Sequence, residues 1–247
     1  MEGHLLRTRG LAPGLALGLA LTGAGCGAAE PTTSAPESTA STGDLASDLY
    51  ALREEEKLAR DVYRTSSARW GLAAFLRIAE SEQRHFDHVG ALLGPRDLVD
   101  PVRDDAVGAF VAPRFSSLFL ELSERSARSE LDALLVGALI EELDIADLDG
   151  MLARTSDGEV RQVYELLRCG SRNHLRAFDA LLHERGESYA PVHLSPERYA
   201  EIAAGAHERC GREYGGPGMG PGMGNGMGPG MGNGMGNGRG PGARGGL

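Results

Sequence analysis

The stretch IAESEQRH, residues 78–85, decides how the chain is read. On a helix, Glu82 and His85 stand three residues apart and share one face. Phe75, Ile78, Val89 and Leu92 continue that face at spacings of three and four, so a carboxylate and an imidazole point where an apolar core belongs. A buried ionised glutamate is costly unless it is paired or bound to a cation. From this pair alone two readings stay open: a hydrogen-bonded Glu–His pair in an ordinary helical core, or two ligands of a metal held inside a bundle.

The flanking segments repeat the signature. Leu45, Leu49, Leu52, Glu56, Ala59 and Tyr63 form a heptad seam with one acid at its centre, while Glu54 and Glu55 read as solvated neighbours. At a rise of 1.5 Å per residue, Glu56 and Glu82 each fall about 16 Å from the start of their helices and lie level in an antiparallel hairpin. The second helix is predicted from about Gly71 to Leu93, ending at Gly94-Pro95. Residues 94–128 then form a long connection, with a turn at Asp100-Pro101 and a short helix around Phe115, Leu118, Phe119 and Leu122. Ser129 and Asp132 cap a third bundle helix, whose seam runs Leu131, Leu134, Ala138, Glu141, Ile145, Leu148. Asp157, or Ser156, caps a fourth with seam Val160, Tyr164, Leu167, Ser171, His174, Phe178, Leu181, ending near Gly186. Ser195-Pro196 opens a last short helix to about Cys210. The expected fold class is all-α: a four-helix bundle with a long crossover between helices 2 and 3, plus a short C-terminal helix.

Four helices therefore each carry a metal-capable side chain near mid-seam: Glu56, Glu82 with His85, Glu141, and His174. Several unpaired charges in one core layer would oppose folding unless a cation joined them, which favours a metal over a satisfied polar core. Carboxylate oxygens with two imidazoles suit iron, as one or two ions, or manganese; a structural zinc site would be expected to use thiolates.

Two layers of resemblance attach to these residues. Glu56, Ala59 and Tyr63 fit the E-x-x-A-x-x-x-Y pattern of the first rubrerythrin helix, and Ala79-Glu80-x-Glu82-x-x-His85 is similar to its second. More closely, EEEKLARDVY (54–63), IAESEQRH (78–85), VGALIEELDIADL (136–148) and GSRNHLRAF (170–178) resemble an uncharacterised ferritin-like family, domain of unknown function 2202, over about residues 44–205. The resemblance implies a ferritin-like four-helix bundle and, through the di-iron relatives, a carboxylate/histidine site. One position departs from that pattern. A second E-x-x-H would place glutamate three residues before His174, where this chain has Ser171. Asp144 or Glu142 would supply the missing carboxylate, or the site holds one metal tightly and the other weakly, or only one. His88 reads as a partly exposed helix residue, Arg172 and Arg176 as surface charges able to pair with acids around the site, and Tyr63 and Tyr164 as core filling, with a hydrogen bond to a metal ligand or electron transfer as the alternative.

The remainder of the 247 residues frames the bundle at 44–214. Arg7 and Arg9, the apolar run Leu11 to Leu21 and the small residues before Cys26 describe an export signal over 1–26, either a lipoprotein type with Cys26 lipidated or a plain secretory one. Residues 27–43 read as a Ser/Thr/Pro-rich linker, and 215–247 as a Gly/Met-rich disordered tail with Met219, Met223, Met227, Met231 and Met235 spaced by four. These features place the protein outside the cytoplasm, in a bacterial envelope or secreted, touching membrane only through a lipid anchor. Cys169 and Cys210 are candidates for a disulfide in such a compartment. A net charge of -10 argues against nucleic-acid partners. Of the 25 Lys and Arg residues only Lys57 is lysine, which reads as compositional bias. Three cysteines without C-x-x-C exclude a rubredoxin-type centre, so peroxidase chemistry would need an external electron donor. The expected function is an exported metal-binding protein supporting Fe(II) oxidation, as a ferroxidase, or peroxide/O2 chemistry, with metal ions and small oxidants as partners and a homodimer compatible with the fold. The alternative is a non-catalytic extracytoplasmic metal-binding or envelope-associated module that interacts through its tail.

Overall fold

A computed structural model describes residues 42–211; the export signal, Cys26, most of the linker and the methionine tail lie outside the described residues. Four long helices carry the architecture: α1 (Thr42–Trp70), α2 (Ala73–Leu93), α4 (Glu130–Arg154) and α5 (Gly158–His183), with α3 (Pro113–Ser126) in the crossover and α6 (Pro196–Ala204) after the bundle. The expected fold class is the observed one: all-α, two antiparallel hairpins joined by a long connection between the second and third bundle helices.

The ends of these helices follow local chemistry. Gly71, at φ 70°, closes α1 and donates its N–H to the Ser67 carbonyl, the left-handed stop that glycine adopts without Cβ strain. Ser129 caps α4 by accepting from the Asp132 N–H, and Asp157 caps α5 by accepting from Glu159 and Val160. Ser195 caps α6 with Pro196 as its first residue. That last helix stops at Ala204, short of the expected Cys210. Residues beyond it turn to α5, where Glu208 meets Arg172 at 2.8 Å and Arg176 at 2.7 Å, and Cys210 is disulfide-bonded to Cys169. Both arginines thus pair with an acid, the less expected of the two readings, and that acid is Glu208.

α1 pairs with α2 and α4 with α5; α2 also packs on α5 and α1 on α4. The apolar stripes of these helices meet in two clusters. One contains Tyr63, Phe75, Leu134, Leu175 and Phe178, the other Leu49, Leu52, Val89, Leu148, Tyr164 and Leu167. Along α1, α2 and α5 the switch from one cluster to the other falls at Glu56, at Glu82 and His85, and at Ser171 and His174. A single polar layer therefore divides the core.

The crossover is held by the other flank of α1. Glu54 and Glu55, expected in solvent, are 3% and 6% exposed. Glu54 accepts the Val111 and Ala112 N–H groups that lead into α3. Lys57, read as composition alone, is fully buried, with its Nζ 2.6 Å from Asp61 and 2.7 Å from the Ala106 carbonyl. Arg53 reaches Asp100 at 2.7 Å and Arg60 reaches Asp105 at 2.6 Å, so each anchors a different point of the same loop.

Candidate metal centre

Glu56, Glu82, His85, Glu141 and His174 converge in the polar layer, as their seam positions imply. All are buried, the three glutamates completely. Their ligand atoms form two triplets, Glu56–Glu82–His85 and Glu82–Glu141–His174, each with its atoms within 4.8 Å of one another. Glu82 belongs to both. Its Oε2 lies 2.7 Å from His85 Nδ1 and its Oε1 lies 2.7 Å from His174 Nδ1. Glu56 Oε2 stands 3.3 Å from His85 Nδ1, and Glu141 Oε2 3.3 Å from His174 Nδ1, so the halves mirror one another across Glu82. The two imidazole rings are 5.6 Å apart between centroids.

Helix positions explain the mirror. Glu82 and His85 project from one face of α2, one turn apart. α5 contributes His174, and Gly170 one turn before it gives the His85 ring its place: a Cβ at 170 would come within 2.5 Å of His85 Nε2. Tyr63, on the α1 seam, donates its hydroxyl to Glu141 Oε1 at 2.6 Å and so fixes that carboxylate as well as filling core. Tyr164 does not reach the centre; its hydroxyl has no hydrogen-bond partner and its ring packs in the second apolar cluster. His88 is intermediate in exposure, as expected.

The close distances are not hydrogen bonds throughout. Both oxygens of Glu56, both of Glu82, and His85 Nδ1 are buried without a hydrogen-bond partner, although Glu82 and His85 are at ion-pair distance. Buried polar groups normally find partners. Oxygen and nitrogen ligand atoms gathered within 4.8 Å of one another and short of hydrogen-bond partners suit a shared cation, and the residues present fit one on that ground. The donors are hard oxygens and imidazole nitrogens, the set that suits iron or manganese.

Burial and the two histidines set the charges of the layer. Burial and the neighbouring acids Asp144 and Glu82 push Glu56 well above the ordinary carboxylate range. Burial raises Glu141 to about 7 against the pull of His174. Burial works against charge on Glu82 too, but His174 and His85 outweigh it and hold this carboxyl well below its usual value. His174 rises to about 10, because Glu82 and Glu141 overcome the desolvation of its ring. Burial thus favours the protonated form of Glu56 and Glu141, and the histidines favour the ionised form of Glu82.

Two other acids of α4 separate clearly. Asp144 is 1% exposed, with Oδ2 accepting from Ser171 Oγ at 3.0 Å and Oδ1 without a partner. Glu142, the other residue expected to replace the missing carboxylate, is saturated elsewhere. Its Oε1 accepts from the Val192, His193 and Leu194 N–H groups, each at 2.7 Å, and its Oε2 from Tyr189 at 2.6 Å. Glu142 ties the loop before α6 to the bundle. Burial raises Glu55, hydrogen-bonded to Asp147 on the flank of the layer, to about 8. No local signal in the sequence separates Glu55 or Glu142 from a solvated acid, since their burial comes from segments distant along the chain.

Comparison with known proteins adds a family. An uncharacterized protein of Methanocaldococcus jannaschii, MJ0754, is 48% identical over 161 residues, 65% of this chain and 87% of its own length. The crystal structure of the hypothetical protein MJ0754 from Methanococcus jannaschii DSM 2661 is similar at a TM-score of 0.66 and 44% identity, covering 73% of this chain and all of that one. Residues 46–206 match the uncharacterized protein domain DUF2202. On this match the chain belongs to the DUF2202 family.

Proposed function

We propose that the polar layer is a two-ion carboxylate/histidine centre for iron, with manganese as the other metal it suits, and that the protein supports oxidation of Fe(II) or reduction of peroxide or O2. The observation that carries this reading is Glu82, whose two oxygens each stand 2.7 Å from a different histidine Nδ1, so that one carboxylate belongs to both triplets. Glu82 would bridge the ions, with Glu56 and His85 on one side and Glu141 and His174 on the other. Iron bound there would supply one-electron chemistry toward oxidants that carboxylates and imidazoles lack.

The chain's own part is positioning and exclusion. The apolar clusters on both sides keep bulk water from the layer, which strengthens every charge interaction within it. Tyr63 holds Glu141 in place. Glu56, Glu141 and His174 would give up their protons to a cation, so that leaving positive charge offsets most of the charge the ions bring into the core. The side chains of His85 and His174 keep 7% and 10% of their surface accessible, and this edge is where a small oxidant would reach the layer. The Cys169–Cys210 disulfide supports an oxidising, extracytoplasmic setting.

Metal content after anaerobic Fe(II) loading, measured by mass spectrometry on the full chain and on Glu82→Ala, tests the reading. The expected result is about two irons per chain, both lost when the bridging carboxylate is removed. Wild-type protein that retains no iron or manganese would overturn it, and one firmly bound ion would replace it with a mononuclear site.

A further inference from the structure

The two-ion reading leaves α5 one ligand short, because Ser171 stands where the glutamate of a second E-x-x-H would be. We propose that Asp144 of α4 is the carboxylate that completes the centre, the ligand having moved from one helix to its neighbour; this inference rests on the two-ion reading. Asp144 lies three residues after Glu141 and so shares its inward face, one turn along. Ser171 lies three residues before His174 on the antiparallel neighbour, which sets Asp144 opposite Ser171 as Glu141 is set opposite His174.

The contacts match this register. Ser171 Oγ is 3.0 Å from Asp144 Oδ2 and 3.1 Å from the Leu167 carbonyl, so the hydroxyl is shared between an acceptor on its own helix and the carboxylate. A glutamate at 171 would run its longer side chain into the space that the Asp144 carboxylate fills. The two positions are therefore alternatives for one carboxylate. Asp144 Oδ1 is buried with no partner, the same condition as the oxygens of Glu56 and Glu82. Asp144 is also the charged neighbour that acts most strongly on Glu56, while Glu55, Glu141 and Glu82 act on Asp144 itself. A buried acid with one oxygen oriented by serine and the other left bare would be a net cost to a metal-free core, and it becomes a gain only when a cation takes the bare oxygen.

The test is iron per chain, by mass spectrometry after anaerobic Fe(II) loading, in full-length wild type, Asp144→Asn and the exchange variant Asp144→Ser/Ser171→Glu. Thermal melts of each metal-free protein accompany it. The expected result is about two irons in the wild type, about one in Asp144→Asn, and about two again when the carboxylate returns on α5. Metal-free Asp144→Asn is expected to melt no lower than wild type, because an amide replaces a buried acid. Asp144→Asn retaining two irons at unchanged affinity would overturn the assignment and leave the two-ion reading intact. An exchange variant that folds but binds no more iron than Asp144→Asn would also overturn it. Wild type binding fewer than two would remove the two-ion reading and this inference together.

Discussion

Gly170 carries more of the centre than its lack of a side chain suggests. It sits inside α5, where glycine costs a helix roughly 0.5–1 kcal/mol relative to alanine. The close approach of His85 Nε2 to the α5 backbone explains why alanine is absent. Gly170→Ala is expected to leave metal-free stability within about 1 kcal/mol of wild type, helix propensity offsetting the displaced ring. Iron affinity should fall about tenfold or more, since His85 Nδ1 turns away from Glu82; titration of Fe(II) or Mn(II) into both proteins checks it, and equal affinities would show that the ring moves freely. At this scale the sequence was legible wherever a polar residue interrupts an apolar seam. Glu56, Glu82, His85, Glu141 and His174 were found that way and converge as expected. Glu55 was not, because it is buried against Asp147 and Arg114, far along the chain, and Glu142, named as a candidate ligand, instead holds the loop at 192–194, which helical periodicity does not encode.

Among the elements, α1 presents two functional faces. Its seam enters the core, and its flank from Arg53 to Asp61 fastens the crossover. The fully buried Lys57–Asp61 pair is the centre of that flank. Breaking a buried pair from one side leaves a charge uncompensated, typically at 3–5 kcal/mol. Here Asp61 would retain Arg60 at 3.0 Å and the Gly108 N–H at 3.0 Å. Lys57→Met is therefore expected to cost about 3 kcal/mol, the lower end of that range, in denaturant unfolding, with iron content unchanged. A loss below about 1 kcal/mol would show that Arg60 alone balances the aspartate. Capping made the starts of α4, α5 and α6 readable, because each cap is a local exchange between a side chain and the next N–H groups. The end of α6 was not readable. It is set by Arg172, Arg176 and Cys169, all on the preceding helix α5.

For the molecule as a whole, the polar layer couples stability, protons and metal. Without metal, burial lifts Glu55 from an ordinary 4.5 to about 8 and Glu141 to about 7, and raises Glu56 and Asp144 as well. Each of these carboxyls binds its proton more tightly in the folded chain than in the unfolded one. The stability each contributes is complete below about pH 4.5 and is lost as the pH rises through its folded value. His174 adds in the same sense: its contribution is complete below its ordinary 6.5 and is lost toward about 10. Glu82, held low by the two histidines, acts oppositely, but only below its ordinary 4.5. The metal-free protein should therefore become less stable between about pH 4.5 and 8, by up to about 1.4 kcal/mol per pH unit for each proton released. A cation reverses the slope, because it binds the deprotonated ligands and its affinity grows as they ionise. At a free metal concentration one hundred times its dissociation constant, the stabilisation is about 2.7 kcal/mol. Thermal melts from pH 5 to 8, with chelator and with Fe(II) or Mn(II) under anaerobic conditions, are expected to diverge: falling Tm in chelator, level or rising Tm with metal. Parallel curves would mean that the layer's protons are not exchanged for metal, and that the buried acids serve the fold alone.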